Sequence, residues 1–165
     1  MFSSKTMQGY FEVGIFQPNN DPNIGVLWRS AYQLGAAGIF TIGGRSRRMH
    51  TDVFHSAYHI PLRHYQTFED FLVARPEGAR LVGIEMGGQP LSQFVHPAQA
   101  IYLLGSETNG LPSRILSACN AVIALEAVQR ASYNVATAGS IVLYHRQFLQ
   151  QSYPRKENPE DFKNP

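Results

Sequence analysis

The sequence predicts an α/β protein with a parallel sheet that is covered by helices on both faces. Six apolar runs rich in β-branched and aromatic residues recur along the chain, and helical patterns separate them. Most of these runs are continuously apolar rather than alternating, which is typical of strands buried on both faces. The length of 165 residues fits one domain rather than two. We expect that domain to span residues 1–150 and a polar tail to span residues 151–165.

The strand predictions follow the apolar runs in chain order. Each run is bounded by turn residues or by a helical pattern, as the strands of a parallel sheet are. The predicted strands are Tyr10–Phe16, Ala37–Ile42, His59–Leu62, Arg80–Met86, Ala100–Leu104 and Ala121–Leu125.

Four helices are predicted between and after these strands. The first opens after Pro22 and ends at Gly35, because apolar residues recur there at steps of three and four. The second follows Thr67, a helix-capping type of residue, and has acidic residues in its first turn. The third starts at Pro112, since proline is favoured at the first helical position, and a long closing helix begins near Asn134. The apolar face of the first helix consists of Ile24, Leu27, Ala31 and Leu34.

Composition narrows the class of protein. Hydrophobic residues make up 44% of the chain and charged residues 16%, which argues against a disordered chain. No run is long and apolar enough to span a membrane, and the first residues lack the pattern of a secretion signal, so we expect a cytoplasmic protein with no membrane partner. The lone Cys119 cannot form an intramolecular disulfide or a cysteine-based zinc site.

The histidines are candidate metal ligands, because several of them lie close together in the sequence. They are not accompanied by cysteines, and they do not form the His-Glu-x-x-His pattern of zinc enzymes. We therefore expect structural or surface roles for them and no metal. The six histidines are His50, His55, His59, His64, His96 and His145.

The basic residues are mostly arginine. The chain carries eleven arginines against three lysines, with a net charge of +2. The guanidinium group holds phosphate through two parallel hydrogen bonds, so this bias is compatible with a nucleic-acid partner, although enzymes of small phosphorylated metabolites share it. The segment 43–50, with Arg45, Arg47 and Arg48, is the predicted phosphate contact; a solvated basic loop is the alternative.

Two polar stretches directly follow predicted strands, and the carboxyl ends of parallel strands are where α/β proteins bind ligands. The first contains Asn23 and Arg29, for which a helix cap and a surface side chain are the alternatives. The second runs from Leu104 to Pro112, and its two glycines allow close backbone approach or a positive φ. It is neither a P-loop nor a GxGxxG motif, and a tight strand-to-helix connection is its alternative.

A third polar stretch lies ahead of the closing helix. It reads Ser132-Tyr133-Asn134 and leads into a helix rich in small residues, which permit close approach of another backbone. Ser132 alone is more often a helix cap than a ligand group. Near the first stretch, Trp28 and Tyr32 are candidates either to stack on a nucleobase or to pack in the core.

In their order and spacing, these three stretches resemble the motifs of the SpoU/TrmH branch of the SPOUT superfamily, the S-adenosylmethionine-dependent RNA 2'-O-ribose methyltransferases. The motifs are Asn23 to Arg29, Leu104 to Pro112 and Ser132 to Ala136, and the resemblance extends from about Phe11 to Leu149. It implies an α/β fold with a C-terminal deep trefoil knot, a feature that general topology rules do not predict. It also implies a homodimer that supplies the RNA-binding surface.

By this resemblance, three loops hold S-adenosyl-L-methionine. They are 85–87, 104–110 and 123–132, and the chain departs from the family pattern in the third loop. There it reads Ala124-Leu125-Glu126, where many relatives have an Ile-Pro-Met-like start. The implied cofactor-binding residues are Glu85, Met86, Gly87, Leu104, Gly105, Glu107, Asn109, Gly110, Ile123, Ala124, Leu125, Ser132 and Asn134.

The resemblance also implies the catalytic residues. A ribose hydroxyl is a poor nucleophile and must be oriented in line with the sulfonium methyl while it loses its proton. Arg29 is implied as general base or as the group that orients the hydroxyl and contacts phosphate. Because arginine is effectively always protonated, orientation and charge stabilisation are physically easier. Asn23, Ser132 and Asn134 are implied to position the substrate, and Glu107 to support the pocket.

The predicted substrate is tRNA rather than rRNA, because the domain is small and no separate RNA reader is apparent. An rRNA 2'-O-methyltransferase is the first alternative. A knotted methyltransferase that modifies a base nitrogen is a second, and the motif residues argue against it. A non-catalytic RNA-binding protein that keeps the fold is the third. Measurement of cofactor binding distinguishes the ribose methyltransferase from the third alternative. Mapping of the modified nucleotide distinguishes it from the second.

Overall fold

The computed structural model describes residues 9–44, 60–129 and 131–149. Six strands form one sheet in the order β3-β2-β1-β5-β4-β6, and every neighbouring pair is parallel. The predicted α/β class is therefore confirmed. The strands are β1 (Phe11–Phe16), β2 (Gly38–Ile42), β3 (Leu62–Tyr65), β4 (Arg80–Pro90), β5 (Ala100–Leu104) and β6 (Ala121–Ala124).

The four helices lie in the predicted segments, although the first begins at Asp21 rather than after Pro22, and the third begins at Ser113 with Pro112 as its N-cap. The second helix begins with the expected cap: Thr67 Oγ1 accepts a hydrogen bond from the Asp70 amide at 3.1 Å, and the Asp70 carboxylate accepts one from the Thr67 amide at 3.1 Å. Such a reciprocal pair satisfies two amides that the helix itself cannot. The helices are α1 (Asp21–Gln33), α2 (Phe68–Ala74), α3 (Ser113–Ala118) and α4 (Val135–Tyr144), with a 3-10 turn at Leu91–Gln93 and a π-helix at His145–Leu149.

Two apolar clusters sandwich the sheet, one on each face. Strand β5 is buried throughout, and its residues alternate between the clusters: Tyr102 and Leu104 lie in one, Ile101 and Leu103 in the other. Helices α1 and α4 complete the first cluster, and α2 and α3 the second. Burial on both faces explains why the strand sequences are continuously apolar.

Beyond one-residue shifts at the starts of β1 and β2, three strands differ from the sequence predictions. The third strand is Leu62–Tyr65 and not His59–Leu62, because Pro61 has no amide to donate and the pairing with β2 starts after it. This edge strand exposes Arg63 and His64, so it carries no apolar signal. Strand β4 continues past the predicted end to Pro90, since it pairs with β6 a second time. The last predicted strand ends at Ala124 rather than at Leu125.

The strand order reverses direction between β1 and β5. From β1 the chain proceeds outwards to β2 and β3, whereas β4 and β6 lie on the other side of β5. The helix after β1 covers one face of the sheet and the helix after β5 covers the other. Connections that diverge in this way leave an open edge at the carboxyl ends of the strands, where α/β proteins bind ligands. The first two polar stretches of the sequence both lie at this edge.

In the parts of the chain that the structure describes, no helix is long and apolar enough to cross a membrane. Cys119 is buried at the end of α3, where its thiol donates to the Ile115 carbonyl at 3.2 Å and burial raises its pKa to about 11. A buried thiol with a raised pKa is chemically inert at neutral pH.

Candidate functional site

A chain of side-chain hydrogen bonds joins the three motifs at the carboxyl edge of the sheet. Asn134 Nδ2 donates to Asn23 Oδ1 at 3.0 Å, and Asn23 Nδ2 donates to the Glu107 carboxylate through a short hydrogen bond. The amide orientations follow from the partners, because Asn134 Oδ1 accepts from the amides of Ala136 and Thr137 at 2.9 and 3.3 Å. Residues from three distant parts of the sequence therefore form one polar cluster.

The positions of Asn23 and Asn134 correct two capping alternatives. Helix α1 begins at Asp21 after Asn20, so Asn23 lies inside the first turn and does not cap the helix. Its side chain is 9% exposed and points to the cluster instead. Asn134, and not Ser132, is the N-cap of α4. Asparagine fits this position because its side-chain oxygen satisfies amides that the first turn leaves without partners.

Small residues allow α1 and α4 to start from the same place. Gly139 has no side chain, and a Cβ there would lie 2.6 Å from Leu27 Cδ1 on α1. One residue further on, Ser140 Oγ donates to Ser30 Oγ at 2.8 Å across the two helices. The small residues of the closing helix thus permit close packing within the fold, which is one of the two roles the sequence suggested.

The loop after β5 is shaped by its two glycines. A Cβ on Gly105 would overlap the backbone of Gly110, and Gly110 itself has a φ of +62°. Both geometries that the sequence analysis associated with these glycines therefore occur. The Glu85 carboxylate then accepts the Leu111 amide at 2.7 Å, which joins the end of this loop to β4.

A pocket of about 680 Å³ opens beside this loop. Its walls come from the middle of β4, from the end of β5 and the loop after it, and from the segment between β6 and α4 together with the start of α4. Of the residues implied as cofactor contacts, the following line it: Glu85, Met86, Leu104, Gly105, Glu107, Asn109, Gly110, Leu125 and Ser132.

Four implied cofactor contacts lie outside the lining. Ile123 is fully buried in β6, and Gly87, Ala124 and Asn134 also do not line the pocket. The sequence analysis missed other lining residues, although most of them lie in the same three loops. These are Ile84, Ser106, Thr108, Ala127, Gln129, Ala131, Tyr133, Val135 and Ala138. Whether a loop residue lines the pocket depends on the direction of its side chain. Irregular loops have no periodicity from which that direction could be inferred.

The residues implied for RNA contact are only partly described. Arg29 is exposed on α1 and does not line the pocket. Arg45, Arg47 and Arg48 lie outside the described residues, so their contact with phosphate stays a prediction.

The aromatic residues beside Arg29 take different positions. The indole of Trp28 packs against the core and donates to the Ile60 carbonyl at 3.0 Å, so core packing is its role, while Tyr32 is 39% exposed.

The histidines in the described residues do not gather around an ion. His50, His55 and His59 lie outside those residues, whereas His64 bonds Thr41 and His96 bonds His145. Within residues 9–44, 60–129 and 131–149, no group of three or more histidine, cysteine or acidic side chains is placed to hold a metal.

The pocket fits a ligand with apolar and charged parts. Its volume lies within the usual range for small-molecule sites. Ile84, Leu104 and Val135 form apolar wall, while Glu85 and Glu107 place carboxylates at its edge. An adenine ring, ribose hydroxyls and an amino acid end, the parts of S-adenosylmethionine, match such a combination of apolar surface and acceptors.

The parallel sheet and the pocket define an α/β ligand-binding protein, in which the second and third motifs line the pocket and Asn23 of the first motif contacts Glu107 of the second. Residues 10–144 match the model of the SpoU rRNA Methylase family. The chain therefore belongs to the SpoU rRNA methylase family, whose cofactor is S-adenosylmethionine. Comparison with curated protein sequences gives no match.

Solved structures share the fold. An rRNA methyltransferase from Sinorhizobium meliloti with bound AdoMet is 23% identical, with a TM-score of 0.75 over 90% of this chain and 58% of that one. A structure described for the 2-OH methylation of C or U at position 34 of tRNA is 24% identical, with a TM-score of 0.74 over 89% of this chain and 99% of that one. The SpoU methyltransferase AviRb from Streptomyces viridochromogenes, with bound AdoMet, is 23% identical. Its TM-score is 0.75, and the match covers 90% of this chain and 60% of that one. The chain thus spans about three fifths of two of these proteins.

Proposed function

We propose that this protein transfers a methyl group from S-adenosylmethionine to a ribose 2'-hydroxyl of tRNA in the cytoplasm. The hydrogen-bonded chain Asn134–Asn23–Glu107 at the pocket carries this proposal, because it joins all three family motifs beside a ligand-sized space. The similarity to the structure described for tRNA 2-OH methylation covers 99% of that chain, which supports tRNA over rRNA.

The pocket residues hold the cofactor in this proposal. The loop 104–110 surrounds it on one side, and Glu85 and Glu107 offer carboxylate acceptors. The segment after β6 contributes Leu125, Ala127, Gln129, Ala131 and Ser132. When bound, the cofactor supplies a methyl group on a sulfonium, which is already activated for transfer. The protein's task is therefore to bring the ribose oxygen into line and to stabilise the charge that develops on it.

The polar cluster has a positioning role in this scheme. Asn23 and Asn134 use their amide groups on each other and on Glu107, so they fix the loop that carries Glu107 beside the start of α4. Ser132, exposed at the pocket, is available to a substrate hydroxyl. Arg29 orients the 2'-hydroxyl and contacts the adjacent phosphate, and its positive charge stabilises the oxygen as the proton leaves for solvent.

We also propose that two copies form the working unit. Exposed apolar side chains on α4 and on the π-helix border a groove of about 410 Å³ that reaches α1. Ser30 lines this groove directly beside Arg29, so a second copy seated there would complete a surface next to the proposed catalytic residue. The apolar side chains are Ile141, Tyr144 and Leu149, which are 37%, 51% and 47% exposed.

The C-terminal segment is proposed to form the deep trefoil knot of the family. After the edge strand β6, the chain returns across the sheet to α4, which packs against α1. Such a crossing at the pocket is what a threaded loop requires. A crystal structure that traces the chain from β5 through α4 tests this, and a path without threading contradicts it.

The decisive experiment measures methyl transfer on defined RNA. Purified protein, labelled S-adenosylmethionine and total tRNA or ribosomal RNA are incubated, and the products are mapped by resistance of the modified linkage to nuclease. We expect label on a ribose oxygen of tRNA. Label on rRNA or on a base supports the corresponding alternative, and cofactor binding without transfer to any RNA supports the non-catalytic one.

A further inference from the structure

Glu126, in the segment between β6 and α4, accepts three hydrogen bonds. Its carboxylate accepts the amide of Ser92 at 3.2 Å and the hydroxyl of Ser92 through a short hydrogen bond. Its backbone carbonyl accepts the hydroxyl of Tyr133 at 3.1 Å. One residue therefore connects the 3-10 turn after β4 with both ends of the segment between β6 and α4.

The sheet brings Ser92 and Glu126 together. After its irregular stretch, β4 pairs with β6 again, and Pro90 lies opposite Ala124. Because the two strands are parallel, the residues two positions further along each chain, Ser92 and Glu126, remain neighbours. The approach depends on Gly88, where a Cβ would lie 2.7 Å from the Val122 carbonyl oxygen.

The segment that Glu126 anchors forms one wall of the pocket. Leu125, Ala127, Gln129 and Ala131 through Tyr133 line the pocket, whereas Val128 between them is 99% exposed. An exposed loop of this kind gains little stability from apolar burial and depends on hydrogen bonds at its base. Tyr133 supplies such a bond across the loop, from the start of α4 back to Glu126.

The charge of Glu126 suits this role. Its limited burial opposes ionisation, but hydrogen bonds from the side chain and amide of Ser92 outweigh that effect and hold the pKa of Glu126 below its usual value. The carboxylate is therefore ionised at neutral pH and accepts both Ser92 donors. A hydrogen bond to a charged acceptor is stronger than one between neutral groups.

We propose that Glu126, Ser92 and Tyr133 form a latch that holds residues 125–129 and 131–133 in place as a wall of the cofactor pocket. The three residues are positioning residues, and the inference rests on the proposed function only in taking this pocket as the site of S-adenosylmethionine.

The latch affects the affinity for the cofactor because it determines the fraction of molecules in which the wall is in place. If only a fraction of the molecules has the wall in place, the apparent dissociation constant rises in inverse proportion to that fraction. Loss of the latch therefore weakens cofactor binding and increases exposure of the loop amides, while the core of the fold is unaffected.

The test measures S-adenosylmethionine and S-adenosylhomocysteine binding by calorimetry on the full chain. We expect Glu126→Gln, which leaves a neutral acceptor, and Ser92→Ala, which leaves only the Ser92 amide as donor, each to weaken binding about fivefold. The double variant should weaken it little further, because both changes act on the same contact between Ser92 and Glu126. Tyr133→Phe should weaken binding about threefold, and Ser92→Thr, which keeps a hydroxyl, should bind like the unaltered protein. Hydrogen exchange should accelerate in residues 125–133 in the variants that weaken binding.

Thr67→Ala is the matched control, since it removes a hydroxyl that contacts a carboxylate at the start of α2, away from the pocket. It should lower thermal stability and leave the dissociation constant unchanged. If the latch variants bind as tightly as the unaltered protein, the latch is wrong.

A separate variant tests the pocket itself. Ala127→Trp places a bulky ring on the pocket wall from an exposed position and should block binding. If it binds normally, the site assignment in the proposed function fails, whatever the latch variants do.

Discussion

Asn23 and Asn134 share a hydrogen bond of 3.0 Å although 111 residues separate them in the chain. The bond joins the first turn of α1 to the N-cap of α4, and Asn23 extends it to Glu107 in the loop after β5. Two helices and a loop thereby acquire one fixed arrangement at the pocket. The relationship predicts that the chemistry of Asn23, more than its size, determines activity.

Asn23→Asp should reduce methyl transfer by about tenfold to a hundredfold, because the new carboxylate cannot donate to Glu107 and repels it. Initial rates with saturating cofactor measure the effect. Asn19→Asp makes the same chemical change in the neighbouring contact with Thr108, which is 3.5 Å long and exposed, and should retain most activity. Equal rates for both variants and the unaltered protein would contradict a role for the cluster.

Arg29→Ala should abolish methyl transfer while leaving cofactor affinity within about a few-fold, because the guanidinium acts on the RNA and not on the cofactor. Transfer assays and calorimetry give the two quantities. Arg114→Ala is the control, since that exposed arginine contacts Glu69 on the far side of the sheet. Retained turnover of the Arg29 variant would remove it from the catalytic residues.

Neutralising Arg45, Arg47 and Arg48 to glutamine should weaken tRNA binding and make it less dependent on salt. Each lost phosphate contact lowers the slope of log affinity against log salt by about one. Filter binding between low and moderate salt measures the slope. An unchanged slope would mean that these arginines form a solvated loop and do not contact RNA.

Tyr144→Glu should convert the proposed dimer into a monomer, because a charge buried in an apolar interface is costly. Light scattering after size-exclusion chromatography measures the mass. Val73→Glu adds the same charge at a side chain that is 90% exposed on α2 and should leave the mass unchanged. A monomeric unaltered protein, or a dimeric Tyr144 variant, would refute the proposed interface.

Stability should decrease as the pH falls below about 6.5, because His96 is fully buried. Burial lowers the pKa of His96 to about 2, and the charges of His145 and Arg146 act in the same direction. The folded protein keeps His96 neutral, whereas the unfolded chain binds a proton at this residue below about pH 6.5. Proton binding therefore stabilises the unfolded state relative to the folded one as the pH falls. The free energy of unfolding should decrease by about 2 kcal/mol between pH 7 and pH 5 from this group alone.

Urea denaturation at several pH values measures that decrease. His96→Gln should be less stable at pH 7 but show a flatter pH dependence, since glutamine does not titrate. The same slope in the variant would assign the pH dependence to other groups.

The order of elements was predictable because it depends on local signals. Continuous apolar runs identified β5 fully and β1 to within a residue, and Thr67 with its acidic neighbours identified the start of α2. The edge strand β3 was misplaced because a strand with exposed Arg63 and His64 has no such signal. Its position is determined by pairing with β2.

The buried Arg146 marks a different limit. It lies on the π-helix, where a polar residue would be expected to face solvent, yet it is fully buried. Its guanidinium donates to the Pro97 and Ala98 carbonyls at 2.6 and 2.9 Å and lies over the Phe11 ring at 4.7 Å. These partners come from distant segments, so no periodicity in the sequence indicates them.

The sequence by itself determined the fold class, the three motifs and the family, because apolar runs, caps and motif spacing are written in contiguous residues. Only the tertiary structure decided that Asn23 bonds Asn134 and Glu107, that Asn134 rather than Ser132 caps α4, and which loop residues face the pocket. Only the tertiary structure shows, too, that Glu126 bonds Ser92, because the parallel pairing of β4 and β6 brings these residues together. The direction of a side chain in an irregular loop is set by what packs against it, and that information is spread over the whole chain.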